Sequence, residues 1–170
     1  MIIKVKSRSQ KRSNKSTILC IAYNKIINFV GEIDRLEFTN LMNLHKQKLE
    51  AQLFTLEYDN NKYTAVIKEI QRHPINLNIL HIDFYIIQSD YIQIKVPVFA
   101  INRNNSLAIK DGAIVNLPFK KIEIIKHKDD TTTEINIDVT NLRKKQIIRF
   151  NDLKLNIKSV KQNPVLLSLR

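Results

Sequence analysis

Apolar and polar residues alternate with a period of two along most of this chain, and helical spacing shows in one place. Thr17 to Tyr23 is a β-branched apolar run and Ile27 to Ile33 is another, interrupted by Gly31, where a bulge or bend is expected. Asp34 offers a helix cap with Glu37 three residues on, and Phe38, Leu41, Met42 and Leu44 form an apolar stripe that reads as core. Gln52 to Tyr58 and Lys62 to Gln71 predict two strands joined through Asp59, Asn60 and Asn61, residues that tolerate the left-handed backbone of a hairpin turn. Phe54, Leu56 and Tyr58 fall on one face of the first of these and are expected in the core. The segment from Pro74 to Asn78 breaks the ladder, and a further strand follows from Leu80 to Ile87.

A second β-rich region opens at Tyr91, after Ser89 and Asp90. Its predicted strands are Ile92 to Phe99, Ala113 to Asn116, Phe119 to Lys126, Glu134 to Val139, Leu153 to Ser159 and Val165 to Leu169. Turns are expected at Asn102 to Ser106, Asp111-Gly112, Lys128 to Thr132 and Asn163-Pro164, and a short helical turn capped by Thr140 or Asn141. Ile135, Ile137 and Val139 alternate with Asn136 and Asp138, so one face of that strand meets water. The fold class is therefore mainly β (α+β), in two domains, 1–88 and 89–170, joined by a short hinge.

Composition narrows the function classes. A chain of 170 residues that is 44% hydrophobic can bury one large core or two small ones. The single cysteine, Cys20, excludes an internal disulfide and a thiol-built zinc site, and in Ile18 to Ala22 it reads as a small buried hydrophobe. No apolar run approaches the roughly 18 residues of a membrane span, so a soluble protein is expected. The formal net charge is +12, with two glycines and no tryptophan. An AT-rich genome inflates lysine, but Lys4, Lys6, Arg8, Lys11, Arg12 and Lys15 all precede the first acid, Glu32, which is the footprint of a phosphate-binding arm. An organelle transit peptide and a merely solvated basic arm compete with that reading; the first conflicts with the strand pattern of Met1 to Lys6.

The sharpest chemistry lies in Gln71-Arg72-His73-Pro74, followed by His81-Ile82-Asp83-Phe84. Alternation buries Leu80, Ile82, Phe84 and Ile86 and turns His81, Asp83 and Tyr85 to the opposite face, residues two apart standing roughly 6 to 7 Å from each other. Histidine can donate to phosphate or ribose. A carboxylate is repelled by phosphates, so Asp83 fits a nucleic-acid surface only by accepting from base amino or imino groups, which guanine offers in the wide minor groove of A-form RNA. Gln71 brings a donor and an acceptor, and Arg72 a phosphate clamp. Tyr23 is a core or rim tyrosine by default whose hydroxyl could reach ribose or phosphate. RNA readout leads. A purely structural His-Asp pair on a solvated face is the main alternative, and a nuclease built on His73, His81 and Asp83 is a third, handicapped by the lack of a second carboxylate nearby in sequence and of a phosphate-cradling glycine loop. His45 and His127 sit in polar contexts and read as solvated. Neither a Ser/His/Asp signature nor a cofactor or metal motif is present, so no catalytic residue is assigned.

Ile67-Lys68-Glu69-Ile70-Gln71-Arg72-His73-Pro74, followed by His81-Ile82-Asp83-Phe84, resembles the bacterial 5S rRNA-binding large-subunit ribosomal protein family, protein twenty-five of that subunit, whose longer members are the general stress protein Ctc. Val96-Pro97-Val98, Asp111-Gly112, the stretch from Ile135 to Leu142 and that from Ile148 to Leu153 are similar to the second, mainly β domain of the Ctc type. The resemblance covers essentially the full chain. It implies a small N-terminal β-barrel docked on the loop E region of 5S rRNA through the minor groove, and a β-rich second domain elsewhere on the central protuberance of the large subunit. Its expected partners are 5S rRNA with neighbouring large-subunit rRNA and ribosomal proteins, on a bacterial cytoplasmic or an organellar ribosome, with no cofactor and no small-molecule substrate. His81 and Asp83 match the family's contacting pair, Tyr23 its contacting tyrosine, Lys6 the basic residue ending its first strand, and Gln71 and Arg72 its QRHP motif. Between the first strand and Tyr23 the chain is shorter than the family by several residues, where the family carries an arginine-rich helical turn, and Leu19 and Asn24 replace its proline and glycine. Arg8, Lys11, Arg12 and Lys15 are expected to stand in for those arginines as a group.

Overall fold

The N-terminal strand divides its hydrogen bonds between two neighbours, and that division rolls the first sheet into a nearly closed barrel. In a computed structural model, which describes residues 1–8 and 16–170, the chain separates into two units, Met1–Ser89 and Asp90–Arg170. The strands of the first are β1 (Ile2–Lys4), β2 (Lys6–Ser7), β3 (Thr17–Tyr23), β4 (Asn28–Asp34), β5 (Phe54–Tyr58), β6 (Asn61–Arg72) and β7 (Ile79–Ile86), in the order β1-β5-β6-β7-β3-β4-β2. β1 runs parallel to β5, with Ile2 opposite Thr55, and the Val5 N–H donates to the Glu57 carbonyl at 2.8 Å. The chain continues directly into β2, which pairs antiparallel with β4, Lys6 opposite Glu32. Only Val5 separates β1 from β2, so the two ends of the sheet order meet.

That closure explains Gly31. No bulge interrupts β4 there, contrary to expectation: the β3–β4 register runs unbroken from Thr17 opposite Asp34 to Tyr23 opposite Asn28. A Cβ at position 31 would instead lie 2.4 Å from Val5 Cγ1 and 2.7 Å from the Lys6 carbonyl oxygen, so the glycine is what lets the N-terminal strand come close.

Inward alternation fills the barrel with Ile3, Ile18, Cys20, Ile33, Phe54, Leu56, Ile82 and Phe84. Burial pushes the Cys20 thiol up to about 12, which leaves it an inert hydrophobe. The helix α1 (Arg35–His45) starts where Asp34 Oδ1 accepts the Glu37 N–H at 2.8 Å, as its cap predicts. Phe38 is buried beneath it and Leu41 and Met42 pack on the core, but Leu44 is 74% exposed. Six residues after Phe38, Leu44 lies about 120° round the helix from it and misses the core. A 3-10 stretch, Lys46–Ala51, supplies Leu49 and Ala51 instead and delays β5 to Phe54. The β5–β6 hairpin turns through Asp59 (φ 49°) and Asn60 (φ 62°), the left-handed pair its residues favour.

The second unit is also β-rich. β8 (Tyr91–Ile101), β10 (Lys121–His127), β11 (Ile135–Asp138) and β13 (Lys158–Ser159) form one sheet, ordered β11-β8-β10-β13. β9 (Val115–Asn116), β12 (Ile147–Arg149) and β14 (Val165–Leu169) form another, ordered β12-β14-β9. The expected strand at Leu153 to Ser159 shrinks to β13, because Phe150–Leu153 is a 3-10 turn closed by Asp152 Oδ2 accepting the Arg149 N–H at 2.8 Å. The turn predicted at Asn102 to Ser106 holds a 3-10 piece, Arg103–Asn105, followed by a short helix α2 (Leu107–Lys110) that the sequence pattern does not announce. Thr140 and Asn141 form a turn and start no helix.

Candidate nucleic-acid interface

Two bulges aim the polar row. Along β6 and β7 the pairing runs Ala65 with Ile86, Val66 with Tyr85 and Ile67 with Phe84, then skips Lys68 and resumes with Glu69 opposite Asp83, Ile70 opposite Ile82 and Gln71 opposite His81. A second skip, at Leu80, restores the original register, with Arg72 opposite Ile79. Each bulge inserts one unpaired residue, so the three-residue block between them is displaced by one position and then returned. Leu80 is consequently 44% exposed and Ile79 takes the core position expected for it. The outward set is otherwise as alternation predicts: Ile82, Phe84 and Ile86 are buried, while His81 and Asp83 are half-buried and Tyr85 is exposed.

Within that block the imidazole and carboxylate are coupled. His81 Nδ1 lies 2.7 Å from Asp83 Oδ1, with 29% and 21% of the two side chains exposed. The bond makes Nδ1 the donor, so Nε2 is left as an acceptor on a neutral ring or a second donor on a protonated one. Asp83 keeps its other oxygen for a further donor. Glu69, directly across from Asp83 and exposed, is the second carboxylate that sequence proximity does not reveal; it becomes visible only once the Lys68 bulge is known. Glu69, Asp83, Gln71 and His81 therefore form a two-by-two array of groups rich in acceptors. Among the described residues no group of three or more His, Cys, Asp or Glu is placed to hold a metal ion.

On the other side of β7, parallel β3 brings Leu19 beside His81, Ile21 beside Asp83 and Tyr23 beside Tyr85. The two tyrosine rings meet edge to face, with centroids 6.1 Å apart. The Asn24 side chain accepts the N–H groups of Ile26 and Ile27 at 2.8 and 2.7 Å, which tightens the turn behind Tyr23. The row through His81 continues by Leu19 and Glu32 to Lys6, which lies three strands away, roughly 14 Å along the sheet. Glu32 is buried, and among the described residues its Oε1 has no hydrogen-bond partner.

The fold thus gathers Gln71, His81, Asp83 and Tyr23 on one continuous face, with Lys6 at its far side. Arg72 stands apart. It belongs to the opposite alternation, and its guanidinium reaches the Leu77 carbonyl at 3.4 Å and the Met42 sulfur at 3.1 Å, towards α1. His73 closes its own loop, its Nδ1 accepting the N–H groups of Ile75 and Asn76 at 3.3 and 3.4 Å. Arg8 is exposed just beyond β2, and Lys11, Arg12 and Lys15 lie outside the described residues.

Comparison with known proteins gives two family matches, one for each half. Residues 3–84 match the ribosomal L25p family, and residues 91–167 match the C-terminal domain of ribosomal protein TL5. The chain is similar to the large ribosomal subunit protein bL25 of Methylococcus capsulatus, 29% identical over 114 residues, covering 66% of this chain and 56% of that protein. The bL25 of Ehrlichia chaffeensis is 30% identical over 128 residues, covering 71% and 60%, and that of Paramagnetospirillum magneticum 34% identical over 107 residues, covering 62% and 53%. The matched segments span little more than half the length of these relatives.

Proposed function

Because the chain belongs to the ribosomal L25p family, in the two-domain form whose second half is a TL5 C-terminal domain, we propose that it is a non-catalytic constituent of the large ribosomal subunit. Its N-terminal barrel binds 5S rRNA at loop E and thereby stabilises the central protuberance of a cytoplasmic ribosome. The observation that carries this reading is the outward array of His81, Asp83, Gln71 and Glu69 on a chain of net charge +12. Phosphates alone would not favour two carboxylates there, whereas the amino and imino groups of guanine edges supply the donors that those oxygens need. Gln71 and the Nε2 of His81 add direction, Tyr23 reaches ribose or phosphate from the neighbouring row, and Lys6 and Arg8, with the basic arm of Lys11, Arg12 and Lys15, neutralise backbone charge, whereas Arg72, turned towards α1, takes no part on this face.

Co-sedimentation separates this role from that of a free RNA-binding stress protein. The tagged chain should travel with large subunits through a sucrose gradient and cross-link to 5S rRNA; recovery at the top of the gradient in growing cells would refute it. Incubation of purified protein with 5S rRNA and divalent ions tests the nuclease alternative, and intact RNA is the expected result.

A further inference from the structure

Charge is not confined to the first unit. Residues 90–170 hold fifteen Lys and Arg against eight Asp and Glu, whereas residues 1–89 hold thirteen against eight. The second unit is therefore the more basic of the two, and nothing in the QRHP face accounts for it.

The outer face of β8, β10 and β13 concentrates part of that charge around an apolar slot. Inward alternation buries Ile92, Ile94 and Val96 on β8 and Ile122 and Ile124 on β10. Lys95 on β8 and Lys121 on β10 therefore stand on the other face, and they border a pocket of about 170 Å³ with Phe119, Pro164 and Lys161. The Lys161 ammonium lies 4.6 Å from the centre of the Phe119 ring. Among the described residues Glu123 is the only carboxylate lining the slot, and it is partly neutralised there: Lys95 Nζ lies 4.0 Å from one oxygen and the Gln93 amide donates to the other at 3.3 Å. Further along the same face, exposed Tyr91 meets His127 edge to face with centroids 5.6 Å apart, and Ile125 is 37% exposed.

We infer that this face is a second RNA-binding surface, which takes a single-stranded segment with one base against Phe119 and the adjoining phosphates on Lys121, Lys161 and Lys95. The slot is smaller than the roughly 300 to 1,000 Å³ of a cofactor site, and it suits one flat ring. Phe119 lines the slot with the Lys161 ammonium over its ring, and aromatic rings set among cations are what unpaired nucleotides require, since every base has a face to stack and every link a phosphate to neutralise. Tyr91 and His127, six residues along β10 from Lys121 and so roughly 20 Å away, extend the track over several nucleotides. An acidic protein segment would satisfy the lysines but leave the aromatic groups without a role. This inference rests on the ribosomal reading for its choice of partner, yet its site shares no residue with the QRHP face.

The test uses the full chain and a fluorescent, unstructured oligouridylate, with 5S rRNA titrated in parallel. Phe119→Leu and Lys161→Gln should each weaken oligouridylate binding roughly tenfold, the effect of removing one stacking platform or the cation beside it. Lys161→Gln should also flatten the salt dependence by about 0.7 in log-log slope. Asp83→Ala should leave oligouridylate binding unchanged, so failure of the loop E reading and failure of the slot are seen separately. Lys161 is exposed, so its replacement reads out binding even if the Phe119 variant folds poorly. Oligouridylate binding that ignores both slot variants, no binding by the unaltered chain, or slot-dependent capture of polyglutamate in place of RNA would overturn the proposal.

Discussion

The imidazole Nδ1 of His81 and the carboxylate Oδ1 of Asp83 lie 2.7 Å apart on the outer face of the barrel, so the two side chains present themselves as one unit. Two consequences follow for any RNA that meets them: the carboxylate holds the ring in one orientation, and the ring consumes one of the carboxylate's two acceptor oxygens.

Residues acting as a unit are not additive. His81→Ala and Asp83→Ala should each weaken 5S rRNA binding, and the double variant should lose less than the sum of the two, with a coupling of about 0.5 to 3 kcal/mol in a double-mutant cycle. Strict additivity in a filter-binding titration would mean that the pair does not act together on the RNA.

Closure of the barrel depends on the space at Gly31. Gly31→Ala places a methyl group against Val5 and the Lys6 carbonyl, an overpacked arrangement that should cost about 1 to 3 kcal/mol. Urea denaturation followed by the near-ultraviolet signal of the barrel tyrosines checks this. Shortening Val5 in the same chain should recover only part of the stability, because the Lys6 carbonyl stays in place.

Lys126 makes a prediction for the second unit. Its residue is 3% exposed, and its Nζ donates to the Asp130 and Thr132 carbonyls at 2.7 and 2.6 Å, which ties down the loop after β10. Burial pushes this ammonium below the usual lysine range, with the Asp130 carboxylate pushing back. A base whose folded pKa is depressed binds protons more readily when unfolded, so its contribution to stability rises as pH climbs from the folded value towards 10.5. Lys126→Met should remove that rise from the pH profile of unfolding, and should destabilise the unit at neutral pH by about 1 to 3 kcal/mol by orphaning two carbonyls. An unchanged pH profile in the variant would contradict it.

The basic arm should act without sequence preference. Replacing Lys11, Arg12 and Lys15 with glutamine should lower affinity for every RNA and reduce the log-log salt slope by about 0.7 to 0.9 for each phosphate no longer neutralised. Binding measured between 50 and 200 mM salt, on the order of the range over which counterion release is resolved, would expose an unaltered slope.

Much of this fold is legible in the sequence where a single local rule governs. Thr17–Tyr23 and Val165–Leu169 have the predicted bounds, since the first is an unbroken β-branched or apolar run, the second is apolar except for Ser168, and both have clear flanks. The Asp34 cap and the Asp59-Asn60 turn likewise follow from side-chain chemistry. What the pattern hides is anything decided by a partner strand. Leu80 looks inward by alternation and is turned out by a bulge, Glu69 looks remote from Asp83 and is set opposite it by another, and Gly31 looks like a bend and is instead a gap for Val5. Arg72 shares a motif with Gln71 yet faces away from it, because neighbours in a strand alternate. β12 and α2 are short segments whose own sequence is too brief to carry a period.

The most direct test is the affinity of the full chain and of Asp83→Ala for 5S rRNA and for an unrelated RNA duplex of equal length, at one salt concentration. A loss of about 1 to 3 kcal/mol confined to 5S rRNA, with the unrelated duplex bound as before, is the predicted result. Equal losses on both RNAs, or none on either, would show that the Asp83 carboxylate does not read a base edge.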